Sequence, residues 1–329
     1  MKSNIGTWII YSLLVMLLWY SSGSIASARP KNNDPIKIVI NNWTSQAILS
    51  KIAGRLFEKQ GYLVEYVLQD TYEQWGALHR GEVHVQVEVW EGTNAKLFSR
   101  MVQAGGVVGA GTHDAKTRED WWYPSYVEPL CPGLPNWKAL KRCYALFATK
   151  ETYPYGQYLS GPWEKPDRAR IRALEMDFKV VEVENGEALN KKLFEAINNQ
   201  LPIVLFNWSP NWIEAKFDGK FVEFPTYEPE CESDPTWGVN PELLYDCGNP
   251  KTGWLKKVVW SGMPDKWPCA FTTLKKMNFS NKGISELVFM VDVEKKTVVQ
   301  AVAIWLKKNE LLWQSWIAQC CSKPWLKNE

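Results

Sequence analysis

Residues 36–68 leave the chain few choices. Residues 36–40 are apolar apart from Lys37, Ile48, Ile52 and Leu56 recur at four-residue spacing, and after Gly61 a second β-prone run covers 63–68. That pattern predicts a strand, a helix with one apolar stripe and a second strand, which is a β-α-β unit. A crossover of this length makes the two strands parallel, and a parallel sheet needs helices on its faces. Asn41-Asn42-Trp43-Thr44 forms the first connection, with Thr44 or Ser45 expected to cap the helix.

The same grammar continues. A helix is expected over 72–80, stopped by Gly81. Then Val83, Val85, Val87 and Val89 alternate with Glu82, His84, Gln86 and Glu88, the pattern of a half-buried strand that ends at Trp90. A helix over 95–103 follows. The Gly-rich stretch 105–111 has neither the Gly-Lys-Ser/Thr ending of a P-loop nor GxGxxG spacing, so it reads as a loop or bent strand. Beyond Trp121, Trp122 and Tyr123 and a Pro-rich crossing, strands are expected at 144–149 and 178–183, then a helix carrying Leu189, Leu193, Phe194 and Ile197. The run Pro202 to Phe206, stopped by Asn207-Trp208-Ser209-Pro210, completes a second β-α-β unit. From Trp212 to about Val258 the chain reads as loop. Packing helices follow, one with Val298, Val302, Trp305 and Leu306 and one with Leu312 and Trp316. The expectation is an α/β protein of two similar lobes, residues 34–116 with about 226–329 in one and about 117–225 in the other.

Composition narrows the function. Lys and Arg total 38 against 36 Asp and Glu, a formal net charge of +2, so no basic face for nucleic acid is implied. Residues 1–28 read as a secretory signal, with Lys2, an apolar run over 8–20 and Ala26-Ser27-Ala28 at the cleavage point. A periplasmic or secreted monomer is therefore expected. Seven cysteines suit an oxidising compartment. Cys131/Cys143 and Cys231/Cys247 each bracket a short loop and are candidate pairs, Cys269, Cys320 and Cys321 leave an odd thiol, and no CxxC suggests zinc or redox chemistry.

The outlier is 19 Trp among 329 residues. Trp43, Trp90 and Trp208 all follow strands, and ligands in open α/β sheets bind beyond the carboxyl ends of strands. Three indole faces around one cleft make an aromatic cage for a quaternary ammonium group, which offers no N–H to hydrogen-bond. At about 2 kcal/mol per desolvated contact, three give roughly 6 kcal/mol, a dissociation constant of some tens of micromolar. The alternatives are that each Trp packs in the core, or that the indoles form a platform for a carbohydrate. Catalysis finds no support: His79, His84 and His113 stand in no nucleophile or metal-ligand motif, and neither HExxH nor GxSxG occurs. No metal or cofactor is expected.

Several segments carry a resemblance in chain order. These are Ile38 to Trp43, the helix end Phe57-Glu58-Lys59-Gln60-Gly61-Tyr62, and Gly81-Glu82-Val83 through Val87-Glu88-Val89-Trp90. Trp122-Tyr123-Pro124-Ser125-Tyr126-Val127, Gly161-Pro162-Trp163, and Pro202 to Trp212 with Ala215-Lys216-Phe217-Asp218 continue it. Together they resemble the glycine betaine/choline substrate-binding proteins of ABC transporters. The resemblance implies a two-lobed type II periplasmic binding protein fold that closes on its ligand between lobes and hands it to a permease. It places Trp43, Trp90 and Trp208 in the ammonium pocket, with Trp163 as counterpart of a further Trp and Trp122 or Tyr123 as an aromatic from the second lobe. Asn42 and Asn211 are expected to hydrogen-bond the ligand's tail. Asn211 stands where betaine-binding relatives often have His, and Ser45 where choline-binding relatives can carry an acidic residue.

Overall fold

The computed structural model describes residues 33–163 and 165–317. The expected secretory signal, and Cys320 and Cys321, lie outside the described residues. Nine strands follow in chain order: β1 (Ile36–Ile40), β2 (Val64–Leu68), β3 (Val85–Trp90), β4 (Val107–Pro124), β5 (Gly156–Ser160), β6 (Phe178–Glu182), β7 (Leu205–Ser209), β8 (Gly219–Phe221) and β9 (Gly253–Trp260). They line up as β2-β1-β3-β9-β4-β7-β5-β6, with β8 on β4.

The first β-α-β unit forms as its spacing predicts. β1 pairs with β2 in parallel, Ile36 opposite Val64, and helix Thr44–Lys59 crosses between them. Ile48, Leu49, Ile52, Leu56 and Phe57 on that helix are fully buried. Close approach explains Gly54: a Cβ there would stand 2.1 Å from the Tyr66 hydroxyl. Helix Glu73–Arg80 ends at Gly81, whose φ of 70° is the left-handed cap that glycine adopts without strain. The late helix Val298–Lys308 starts with a capping box between Thr297 and Gln300, and buries Val302 and Trp305 in the same core as the first helix.

β4 joins the two halves. Its first part pairs antiparallel with β9, from Val107 opposite Trp260 to Thr117 opposite Gly253. From Arg118 onward it pairs with β7, and at Trp122 to Pro124 with β8. In the second half β5 lies between β6 and β7 and is parallel to both. Helix Gly186–Asn198 connects β6 to β7, as the sequence indicates.

Four expectations are corrected. Residues 144–149 are not a strand: Tyr144–Phe147 is a 3-10 turn and the strand is β5, whose Gly156-Gln157-Tyr158 start lacks a clear apolar signal. The stretch after Trp212 contains β8 and β9, which Lys220 and Lys256-Lys257 disguise. Neither Thr44 nor Ser45 caps its helix: Trp43 holds the cap position, Thr44 Oγ1 donates to Asp292 and Ser45 Oγ to Glu88. β3 is buried on both faces, because its polar side meets other polar side chains instead of water. Gln86 donates to Asn41 and Gln74 and accepts from Gln46, all within the first half.

Cys131–Cys143 and Cys231–Cys247 are bonded as expected. Cys247 is tied inward through Arg170, a 1% exposed side chain that donates to the Cys247 carbonyl at 2.7 Å, to Asp120 at 3.0 Å, to Asp167 at 3.4 Å and to Asn249 at 3.1 Å. The second disulfide spans 16 residues, and removing a cross-link of that length frees unfolded-chain entropy worth about 3 kcal/mol. Replacing Cys231 and Cys247 by Ser together should lower stability by that amount in urea unfolding without reductant; a change below about 1 kcal/mol would contradict it.

Candidate functional site

Strand ends and the loops after them build one pocket. Trp43, Thr71, Trp90, Thr93, Asn94, Glu119, Trp163, Lys165, Phe206 and Trp208 line it, and it holds about 370 Å3 of empty space, open mouth included. Trp43 follows β1, Trp90 ends β3 and Trp208 lies in β7, so the strands that pack the two halves also carry the indoles. Trp163 extends the set: its ring stands edge-on to Trp208 at 5.4 Å between centroids and tilted against Phe206 at 5.4 Å. Phe206 and Trp208 stack at 5.7 Å. Alternation along a strand puts residues two apart on one face, which is why Phe206 joins Trp208.

Behind two of the indoles sits Glu88, whose side chain is sealed from solvent. Its Oε2 accepts from Trp43 Nε1 at 2.9 Å, Ser45 Oγ at 2.9 Å and Trp90 Nε1 at 3.1 Å. Burial pushes its carboxyl up to about 7, opposed by those three hydrogen bonds. A carboxyl raised above its unfolded value stabilises the fold fully below that value, near 4.5. The contribution fades as pH climbs through about 7.

The polar wall lies opposite. Lys165, 4% exposed in its side chain, pairs with Glu119 and donates to Thr93, and Thr93 also donates to Glu119. Glu119 is the cross-strand neighbour of Trp208. Lys165 Nζ also stands 4.4 Å from the Phe206 ring centre. These contacts tie the halves together, as does Asp292, which accepts from Thr44 Oγ1 at 2.7 Å and from Trp212 Nε1 at 2.9 Å.

Of the eight expected site residues, Trp43, Trp90, Trp208 and Trp163 meet in the pocket. Asn42 does not line it. Its Oδ1 accepts from Trp163 Nε1 at 3.0 Å and so holds that ring from the first half. Trp122 and Tyr123 are corrections: both are fully buried, Trp122 against Gly219 and Tyr123 with its hydroxyl donating to Glu128 at 3.1 Å. Their strand turns them into the main hydrophobic core, where neighbouring Trp121 stacks on Tyr158 at 3.8 Å. Asn211 is also a correction. It is 5% exposed, bonds Asn207 Oδ1 at 2.8 Å, and accepts from the Ile213 N–H at 2.6 Å at the start of a short helix. Burial, with Asn207 0% exposed beside it, keeps the Asn211 side chain out of the pocket lining.

Freeing Trp163 from Asn42 should loosen one wall without touching the others. Asn42→Ala is expected to weaken ligand binding about fivefold, the worth of about 1 kcal/mol for one hydrogen bond. Isothermal titration checks it; an unchanged affinity would show that the contact does not order the ring.

Comparison with known proteins now decides the family. Residues 34–308 match the model described as the substrate binding domain of ABC-type glycine betaine transport systems. The chain belongs to this family of substrate-binding domains. Among relatives of the family, the trimethylamine N-oxide-binding protein of Pelagibacter ubique (strain HTCC1062) is 34% identical over 317 residues, covering 93% of this chain and 96% of that protein. The fold is similar to the glycine/betaine/L-proline-binding protein of Borrelia burgdorferi (TM-score 0.70, 18% identity, 88% of this chain and 98% of that one). It is also similar to an ABC-transporter choline-binding protein in complex with choline (TM-score 0.68, 17% identity, 86% and 92%). Members of the family are transport components that bind substrate, and the two-lobed α/β architecture is theirs.

Proposed function

We propose that this chain is the extracytoplasmic binding subunit of an ABC importer for small trimethylated ammonium solutes, acting as a monomer and without catalysis. The observation that carries the reading is the meeting of Trp43, Trp90, Trp163 and Trp208 from both halves in one pocket. Methyl groups that carry a spread positive charge fit indole faces and need no hydrogen bond. Lys165, whose ammonium keeps a third N–H beyond those given to Thr93 and Glu119, is a donor in the same pocket for an oxide, carboxylate or hydroxyl end. Glycine betaine, choline and trimethylamine N-oxide share that layout of cationic head and hydrogen-bonding tail. Closure between lobes 34–116 with about 226–329 and about 117–225, export by the leader at 1–28 and handover to a permease complete the proposal. The carbohydrate-platform alternative has no support from the family.

Tryptophan fluorescence tests it. Saturable change is expected with at least one of trimethylamine N-oxide, glycine betaine, choline, carnitine and dimethylsulfoniopropionate. Saturation with none of them, or with a neutral sugar instead, would sink it.

A further inference from the structure

Glu88 is a buried carboxylate whose charge the fold does not use. Three donors, the indole N–H groups of Trp43 and Trp90 and the Ser45 hydroxyl, converge on Oε2, while Oε1 has no hydrogen-bond partner among the described residues. The amide oxygen of a glutamine would accept all three. A charge costs several kcal/mol to bury unless a cation compensates it.

Among the described residues, no side-chain cation on the elements around Glu88 does so: burial and its three hydrogen bonds are what set its carboxyl, and Lys51 of the helix Thr44–Lys59 stands 3.3 Å over the Tyr66 ring. On the same strand Gln86 accepts from its N–H at 3.0 Å. Across the pocket Lys165 is paired with Glu119. From β9, Lys257 donates to the carbonyls of Met277 and Lys275, and Lys256 sits 3.9 Å over the Trp254 ring. Glu91, three residues on, accepts from the Trp254 N–H at 3.0 Å. His113 bonds the Val87 carbonyl at 3.1 Å, and His84 accepts from the Lys37 N–H at 2.8 Å.

We infer that Glu88 is a positioning residue of the ligand site: it fixes the Trp43 and Trp90 rings by their N–H edges and supplies the negative charge that a cationic ligand completes. The inference rests on the proposed ammonium-binding function. A hydrogen bond from an indole N–H to a carboxylate shifts electron density toward the ring face, and the face is where the ligand's charge lies. The ligand thus becomes the missing partner of the buried charge, seen through two indoles.

Proton linkage follows. Glu88 is held near 7 by burial, so acidification neutralises it in the empty protein, and a cation that prefers the charged form binds less tightly as it does so. His113 and His84 are pushed down to about 3 and about 4 by burial, below the relevant range, and Lys257 down to about 8, above it.

The experiment compares wild type with Glu88→Gln, using isothermal titration between about pH 5.5 and 7.5. The probes are two cations with their uncharged carbon counterparts, choline with 3,3-dimethylbutan-1-ol and homocholine with 4,4-dimethylpentan-1-ol. For wild type, affinity for the charged probes should fall about tenfold as the pH drops from about 7.5 to about 5.5. Glu88→Gln should bind them about tenfold more weakly at the upper end, show no pH dependence, and bind the alcohols as wild type does. Charged and neutral probes weakened alike would mean that Glu88 only shapes the pocket, and charged-probe affinity within about twofold of wild type would mean that its charge is irrelevant; either overturns the inference. Should Glu88→Gln fail to fold, the wild-type profile decides alone: a flat one overturns the inference and a tenfold fall supports it. Wild type binding no charged probe at any pH would overturn the proposed function itself, a result distinct from all of these.

Discussion

Trp163→Ala combined with Trp208→Ala is expected to weaken binding of a trimethylated ammonium ligand about a thousandfold while leaving the protein folded. Each desolvated cation–indole contact is worth about 2 kcal/mol, and two lost contacts give about 4 kcal/mol. These two rings suit the test better than Trp90, which is 5% exposed and packed in the main hydrophobic core. Truncating a buried Trp leaves a cavity that costs about 3–5 kcal/mol of stability, and the binding result would then be confounded with unfolding. Trp163 and Trp208 are only partly buried and touch each other and Phe206. Circular dichroism should show an unchanged fold, and calorimetry a lost binding heat. Binding within about tenfold of wild type would mean that the pocket's cation contacts lie elsewhere.

Arg170→Met should lower stability by about 3–5 kcal/mol, the effect of breaking a buried ion pair from one side. Asp120 and Asp167, both nearly inaccessible, would keep their charges in the core with their common partner gone. Burial already holds the Asp120 carboxyl above the usual carboxylate range, and Arg170 is the charge that opposes the rise. The loss would reach beyond the pair, since Arg170 also grips the Cys247 carbonyl and Asn249, and Asn249 bonds Asp120 through its N–H at 3.0 Å. Arg170→Lys should be intermediate, because an ammonium keeps the charge but cannot span four acceptors in a fixed fork. Urea unfolding measures both; a loss below about 1 kcal/mol for Arg170→Met would show that the core does not depend on this ion pair.

Sequence made the first half legible because its signals are local. Ile48, Ile52 and Leu56 mark one helix face, and alternating valines mark β3. The second half was harder: β5 opens with Gly156, and β9 carries Lys256 and Lys257, so neither has the apolar pattern of a buried strand. Lys257 is tolerated there because it reaches the Met277 and Lys275 carbonyls.

At the site, strand-end position found Trp43, Trp90 and Trp208, since topology alone sends such residues to the cleft. It does not separate off Trp122 and Tyr123, which lie farther along β4, turned into the main hydrophobic core. Phe206 was within reach, being two residues from Trp208 on one strand face. Lys165, Glu119, Thr93, Asn94 and Thr71 carry no such mark: Lys165 and Glu119 pair within the second half and reach Thr93 across the cleft, and sequence spacing reports neither contact. Alternation alone puts Glu88 on the wet side of its strand. Its importance comes from two indole N–H groups, one of them 45 residues away.

A crystal structure with a bound trimethylated ammonium ligand tests the central claim most directly. The account predicts its nitrogen within about 6 Å of the ring centres of Trp43, Trp90, Trp163 and Trp208, with its tail toward Lys165. A ligand bound outside this pocket, or one whose nitrogen faces fewer than two of those rings, would contradict it.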